Sequence, residues 1–68
     1  MINNKRNKSH CILLNNIKYK WNTNKESVGI TLNIWKNGCI IVDEWFVNLS
    51  IKDITTERVQ EIIRIEKL

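Results

Sequence analysis

Few residues of this chain have side chains suited to covalent or metal chemistry: His10 beside Cys11, a second thiol at Cys39, and the adjacent carboxylates Asp43 and Glu44. Nucleophilic catalysis needs a thiol or hydroxyl held against a base. Consecutive residues of a strand point to opposite faces, and this separates His10 from Cys11. The same alternation separates Asp43 from Glu44, so a paired general acid and base is not expected. Structural zinc takes about four Cys or His ligands in close pairs, and His10, Cys11 and Cys39 fall short of that set. Phosphate-cradling loops need several glycines ahead of a helix, whereas the chain has Gly29 and Gly38 alone, the second within a turn. No enzyme, cofactor or metal is expected. The chemistry that remains is recognition by cations and aromatic rings.

Those cations and rings sit on elements that the pattern of residues defines. Residues 1–9 carry Lys5, Arg6 and Lys8 among Asn and Ser, with almost nothing apolar to repay ordering, and are expected to form a flexible basic arm. Residues 10–68 are expected to form a single small α+β domain. From His10 the pattern has period two: Ile12 and Leu14 lead to Asn15-Asn16, then Ile17, Tyr19 and Trp21 alternate with Lys18 and Lys20. Asn tolerates positive φ, so Asn15-Asn16 predicts a two-residue hairpin turn. A second hairpin is predicted where Val28, Ile30, Leu32 and Ile34 alternate ahead of Asn37-Gly38, with an apolar return strand after it. Thr23-Asn24-Lys25-Glu26-Ser27 would connect the hairpins into a four-stranded antiparallel meander. Near the C-terminus the period changes: Thr55 or Asp53 can cap a helix, Glu57 suits its first turn and Lys67 its last. Val59, Ile62 and Ile63 then form one stripe. That helix would cover one face of the sheet.

Tight turns fix the register, pairing Leu14 with Ile17 and Lys36 with Cys39. Counting back from them puts Ile12, Leu14, Ile17, Tyr19, Trp21, Val28, Ile30, Leu32, Ile34, Ile41, Trp45 and Val47 under the helix. Asp43 then also points to the apolar side and needs a partner, for which Lys36, Tyr19 or a helix arginine is available. The opposite face collects Cys11, Leu13, Lys18, Lys20, Thr31, Asn33, Trp35, Ile40, Val42, Glu44 and Phe46. Bare exposure of Trp35, Ile40, Val42 and Phe46 together is unusual in a monomer, so a partner is expected there, the alternatives being a bulge around Ile40-Ile41-Val42 that shifts the register or termini that fold over this face. The two cysteines fall on opposite faces, which disfavours a bond between them.

Charge sharpens the choice of partner. Residues 1–36 hold seven Lys and Arg against one acid, and residues 37–68 hold four against six, within a net charge of +4. A basic half next to an aromatic favours an anionic partner: the first expectation is a non-enzymatic protein that engages nucleic acid or a nucleoprotein complex. Its expected contacts are Lys5, Arg6, Lys8, Lys18, Lys20 and Trp35, with Ile40, Val42 and Phe46 completing the face. The alternative is an inhibitor or adaptor that uses the apolar part of the face against a protein. A homodimer through that face is a further option.

At 68 residues and 8.1 kDa the chain has room for one core, and its composition, 43% hydrophobic and 26% charged, is that of a globular domain. No apolar run approaches the roughly 18 residues of a membrane span, nor does one follow the N-terminal charges as a signal peptide would, so a cytoplasmic location is expected. Alanine and proline are absent and Asn, Ile and Lys abundant, a bias of AT-rich genes such as those of phages and mobile elements. Ile34-Trp35-Lys36-Asn37-Gly38 followed by Val42-Asp43-Glu44 resembles the opening of SEP domains, modules of ATPase adaptor proteins. That family continues Gly-Pro-Leu-Arg where this chain has Trp45-Phe46-Val47-Asn48, and no function is carried over. In size and architecture the chain is also similar to phage-encoded inhibitors of the anti-CRISPR kind, without a shared motif.

Overall fold

The computed structural model describes residues 9–68; the basic residues Lys5, Arg6 and Lys8 lie outside the described residues. Four strands, β1 (His10–Leu14), β2 (Ile17–Lys25), β3 (Ile30–Lys36) and β4 (Cys39–Phe46), form one antiparallel sheet in sequential order. A 3₁₀ turn (Ile51–Asp53) then leads into α1 (Thr56–Glu66). The expected α+β meander with one C-terminal helix is what the chain forms.

Both tight turns form where Asn was expected to allow them. Asn15 and Asn16 have φ of 50° and 65°, and Asn37 and Gly38 have 51° and 88°, the positive values of two-residue turns whose twist matches that of the flanking strands. Leu14 pairs with Ile17 and Lys36 with Cys39, as the turns require. The link between the hairpins is shorter than expected, because β2 continues through Lys25 and pairs with Ile30. Val28 therefore belongs to the loop and is 56% exposed, a correction to its expected place in the core. Next to it Gly29, with φ of 77°, lies so close to β4 that a Cβ would meet the Phe46 carbonyl oxygen at 2.1 Å.

The core lies between the sheet and α1. Ile12, Tyr19, Trp21, Ile30, Leu32 and Ile34 of the sheet pack with Ile54, Val59 and Ile63. Full burial of side chains such as Leu32 and Val59 contributes about 1.5–3 kcal/mol each. The helix starts at Thr55, whose hydroxyl accepts the Arg58 N–H at 3.2 Å, while Asp53 closes the preceding turn by accepting from Ser50. It ends at Lys67, whose left-handed backbone (φ 57°) lets the Leu68 N–H reach the Ile63 carbonyl at 3.0 Å. Tyr19 Oη and Lys36 Nζ both donate to the Leu68 carbonyl oxygen at 3.2 Å, fastening this end of the helix to the sheet.

The principal departure lies in β4. Ile34 pairs with Val42 but Trp35 pairs with Ile40, so Ile41 is an extra residue, a β-bulge. One inserted residue inverts every side chain beyond it. Val42 and Phe46, expected on the open face, turn to the helix side, where both are half-buried against the core. Trp45 and Asp43, expected under the helix, turn outward instead, and Trp45 is 59% exposed. Glu44, expected outside, is paired with Leu32 on the helix side, at the exposed rim. Val47, also expected in the core, lies beyond the strand and is exposed. No helix among the described residues is long and apolar enough to cross a membrane.

Candidate interface on the open sheet face

Pairing across the sheet sorts the open face into rows. One row runs Cys11, Lys20, Trp35 and Ile40; the next runs Asn22, Asn33 and Asp43; a third runs Asn24, Thr31 and Trp45. Lys18 pairs with Leu13 beyond the first row, and its carbonyl accepts the Asn37 N–H at 3.2 Å. Of the residues expected to bind a partner, Lys18, Lys20, Trp35 and Ile40 are thus brought together, while Val42 and Phe46 are not.

A shallow groove crosses the first row, bordered by Ser9, Cys11, Lys18, Lys20, Asn22, Trp35 and Asn37. Both lysines are exposed and Trp35 is half-buried on its flank. Neither ammonium is drawn into an ion pair among the described residues. Ser9 immediately follows Lys8, so the basic N-terminal segment joins the chain at the rim of this groove.

Of the middle row only Asn33 was expected on this face, because Asn22 was given no place in the sheet and Asp43 was expected under the helix. In the sheet, Asn24 Nδ2 donates to Asn33 Oδ1 at 3.4 Å, and Asn33 Nδ2 donates to Asp43 Oδ1 at 3.0 Å. Asp43 therefore finds an asparagine as its partner, not Lys36, Tyr19 or an arginine. Asn22 Oδ1 is buried and accepts no hydrogen bond among the described residues.

Trp45 was assigned to the core and was missed for that reason. Its Nε1 donates to the Val28 carbonyl at 2.8 Å, which holds the exposed indole beside the exposed Val28. Thr31 Oγ1 donates to Glu26 Oε2 at 2.6 Å nearby. Two rows and one strand separate the tryptophans, so Trp35 and Trp45 stand about 14 Å apart, with the amide row between them.

His10 opens β1 and stacks on Trp21, with ring centroids 4.3 Å apart. Cys11 and Cys39 are free and exposed. Among the described residues no group of three or more His, Cys, Asp or Glu side chains is placed to hold a metal ion. Comparison with protein families, with curated proteins and with solved structures finds no match to this chain, so the reading of the open face rests on its geometry.

Proposed function

We propose that the open sheet face binds single-stranded nucleic acid, with Trp35 stacking on a base and Lys18 and Lys20 meeting the backbone phosphates. The observation that carries this reading is the convergence on one groove of a half-exposed tryptophan and two lysines that have no ion pair among the described residues. A base has an apolar face and a polar edge, and the groove offers both a ring and amides. Stacking on an aromatic is tolerant of sequence, which suits a strand of mixed bases. Trp45, fixed by its bond to Val28, offers a second ring at a distance suited to an extended strand. Lys5, Arg6 and Lys8, which precede Ser9 in the chain, add positive charge for phosphate contacts.

Polarisation titrations with fluorescein-labelled oligothymidine and oligouridine test this reading. Affinity should fall linearly on a log–log plot against salt, and Lys18→Ala or Lys20→Ala should each lower that slope by about 0.7. Trp35→Ala should weaken binding by about 1–3 kcal/mol. Affinity that ignores salt, or that survives all three substitutions, removes the proposal.

One observation favours the protein-binding alternative: Val28, Trp45 and Val47 are exposed together at the far end of the sheet, away from Lys18 and Lys20. A protein partner there would bind with little dependence on salt and would be lost with Trp45→Ala rather than Trp35→Ala.

A further inference from the structure

The outer edge of β1 is unpaired among the described residues, and its hydrogen-bonding groups can be assigned from the turn. A two-residue turn makes Leu14 and Ile17 the bonded closing pair, so Ile12 and His10 also bond to β2, with Tyr19 and Trp21. By alternation, the N–H and C=O of Cys11 and Leu13 point away from the sheet. The Asn37 N–H bond to the Lys18 carbonyl agrees with this, because it shows Lys18, the partner of Leu13, turned toward β3.

From this edge we infer that the protein forms a two-fold homodimer in which β1 pairs antiparallel with β1 of a second copy. With the axis at Ile12, Cys11 of each copy faces Leu13 of the other. All four outward groups of each strand are then used, giving four backbone hydrogen bonds across the join. Shifting the register by two residues leaves part of the set unmatched.

A second copy fits this edge for reasons of charge as well as register. His-Cys-Ile-Leu-Leu carries no Lys, Arg, Asp or Glu, so pairing it with itself opposes no like charges. Lys18 and Lys20 on β2 of one copy would lie three strand spacings, about 14 Å, from those of the other, which exceeds the screening length of about 8 Å at physiological salt. Leu13, 67% exposed in the single chain, would gain Cys11 of the other copy as its cross-strand neighbour. The opposite edge of the sheet is unsuited to this, since β4 carries the bulge at Ile41 and the acids Asp43 and Glu44, features that block strand addition. The joined sheet would have eight strands and would carry both Lys18, Lys20 and Trp35 sets on one continuous face.

Sedimentation equilibrium and amide exchange by NMR on the full chain, under reducing conditions and without nucleic acid, test the dimer independently of the binding proposal. A dimer should form between micromolar and millimolar protein, and protection of the Cys11 and Leu13 amides should rise with it, on the order of tenfold or more. Leu13→Pro removes an N–H that β2 does not use, and an edge strand accepts proline, so this variant should stay folded and monomeric. Leu13→Lys keeps the N–H but sets a charge against each join, and should raise the dissociation constant at least about tenfold. A wild-type monomer at millimolar concentration overturns the inference. So does a dimer in which the Cys11 and Leu13 amides exchange freely, which would place the contact elsewhere. If Leu13→Pro fails to fold, the amide measurement on the native chain still decides.

Discussion

The two glycines offer a controlled comparison of backbone strain with steric contact. Both have positive φ, 77° at Gly29 and 88° at Gly38, so alanine at either position meets the same left-handed penalty of roughly 1–2 kcal/mol. Alanine also restricts the unfolded chain, which offsets about 0.4–1 kcal/mol of that. At Gly38 a Cβ would meet nothing within 4 Å, and the net loss for Gly38→Ala should be about 1 kcal/mol. At Gly29 the Cβ would lie 2.1 Å from the Phe46 oxygen and 2.6 Å from the Val47 Cα, both backbone atoms that cannot rotate aside. Pushing the loop away from β4 adds about 1–3 kcal/mol, as overpacking does in cores, so Gly29→Ala should lose about 2–4 kcal/mol. That approaches the whole stability of a domain this small, roughly 3–5 kcal/mol. Urea titration followed by tryptophan fluorescence measures both losses. Equal losses, or a smaller one at Gly29, would refute the claim that the close approach of loop to strand decides the difference.

Two smaller effects are open to measurement. Hydrogen bonds from the Ser50 N–H at 2.7 Å and the Ser50 hydroxyl at 3.0 Å, aided by Lys52 and Arg58, hold the Asp53 carboxyl below its ordinary value. A carboxyl lowered in the folded state stabilises the fold above its ordinary pKa, and that support is lost as pH falls through the folded value. Ser50→Ala should therefore move the Asp53 NMR titration midpoint upward, and an unchanged midpoint would contradict the assignment. Trp45→Phe removes the donor to the Val28 carbonyl and should cost about 0.5–1.5 kcal/mol in a urea titration. No loss would mean that this exposed bond does not fasten the loop.

Most of the fold is legible in the sequence because its punctuation has a single physical meaning. Asn15-Asn16 and Asn37-Gly38 permit positive φ between two alternating runs, and Thr55 ahead of the Val59–Ile63 stripe can serve as a helix cap. The Gly29 loop carries no such mark: its glycine is required by an approach to Phe46 that only the folded chain reveals. β4 is illegible for a different reason. Ile40-Ile41, Asp43-Glu44 and Trp45-Phe46 are each pairs of like residues, so a shift by one residue leaves the pattern of apolar, acidic and aromatic positions almost unchanged. Alternation cannot then say which member of each pair faces the helix, and the bulge that decides it leaves no mark in composition.

That extra residue changes what the open face presents. In a regular β4, Trp35, Ile40, Val42 and Phe46 would merge into one apolar surface of the kind that proteins cover with other proteins. With Ile41 inserted, Val42 and Phe46 join the core side, and the outer face becomes two tryptophans separated by Asn22, Asn33 and Asp43, with lysines beside one ring. Discrete rings set in a hydrogen-bonding field suit ligands that alternate apolar faces with polar edges and carry regular negative charge. Those are the properties of the unpaired nucleic-acid strand proposed as its ligand. The core keeps an aromatic after the same insertion, because Phe46 takes the helix-side place opposite Ile30 that a regular strand would give to Trp45, while Glu44 replaces Asp43 at the exposed rim. Stability of the sheet and the polarity of its outer face thus depend on one bulge, which gives the open face its spaced rings without leaving the core short of apolar surface.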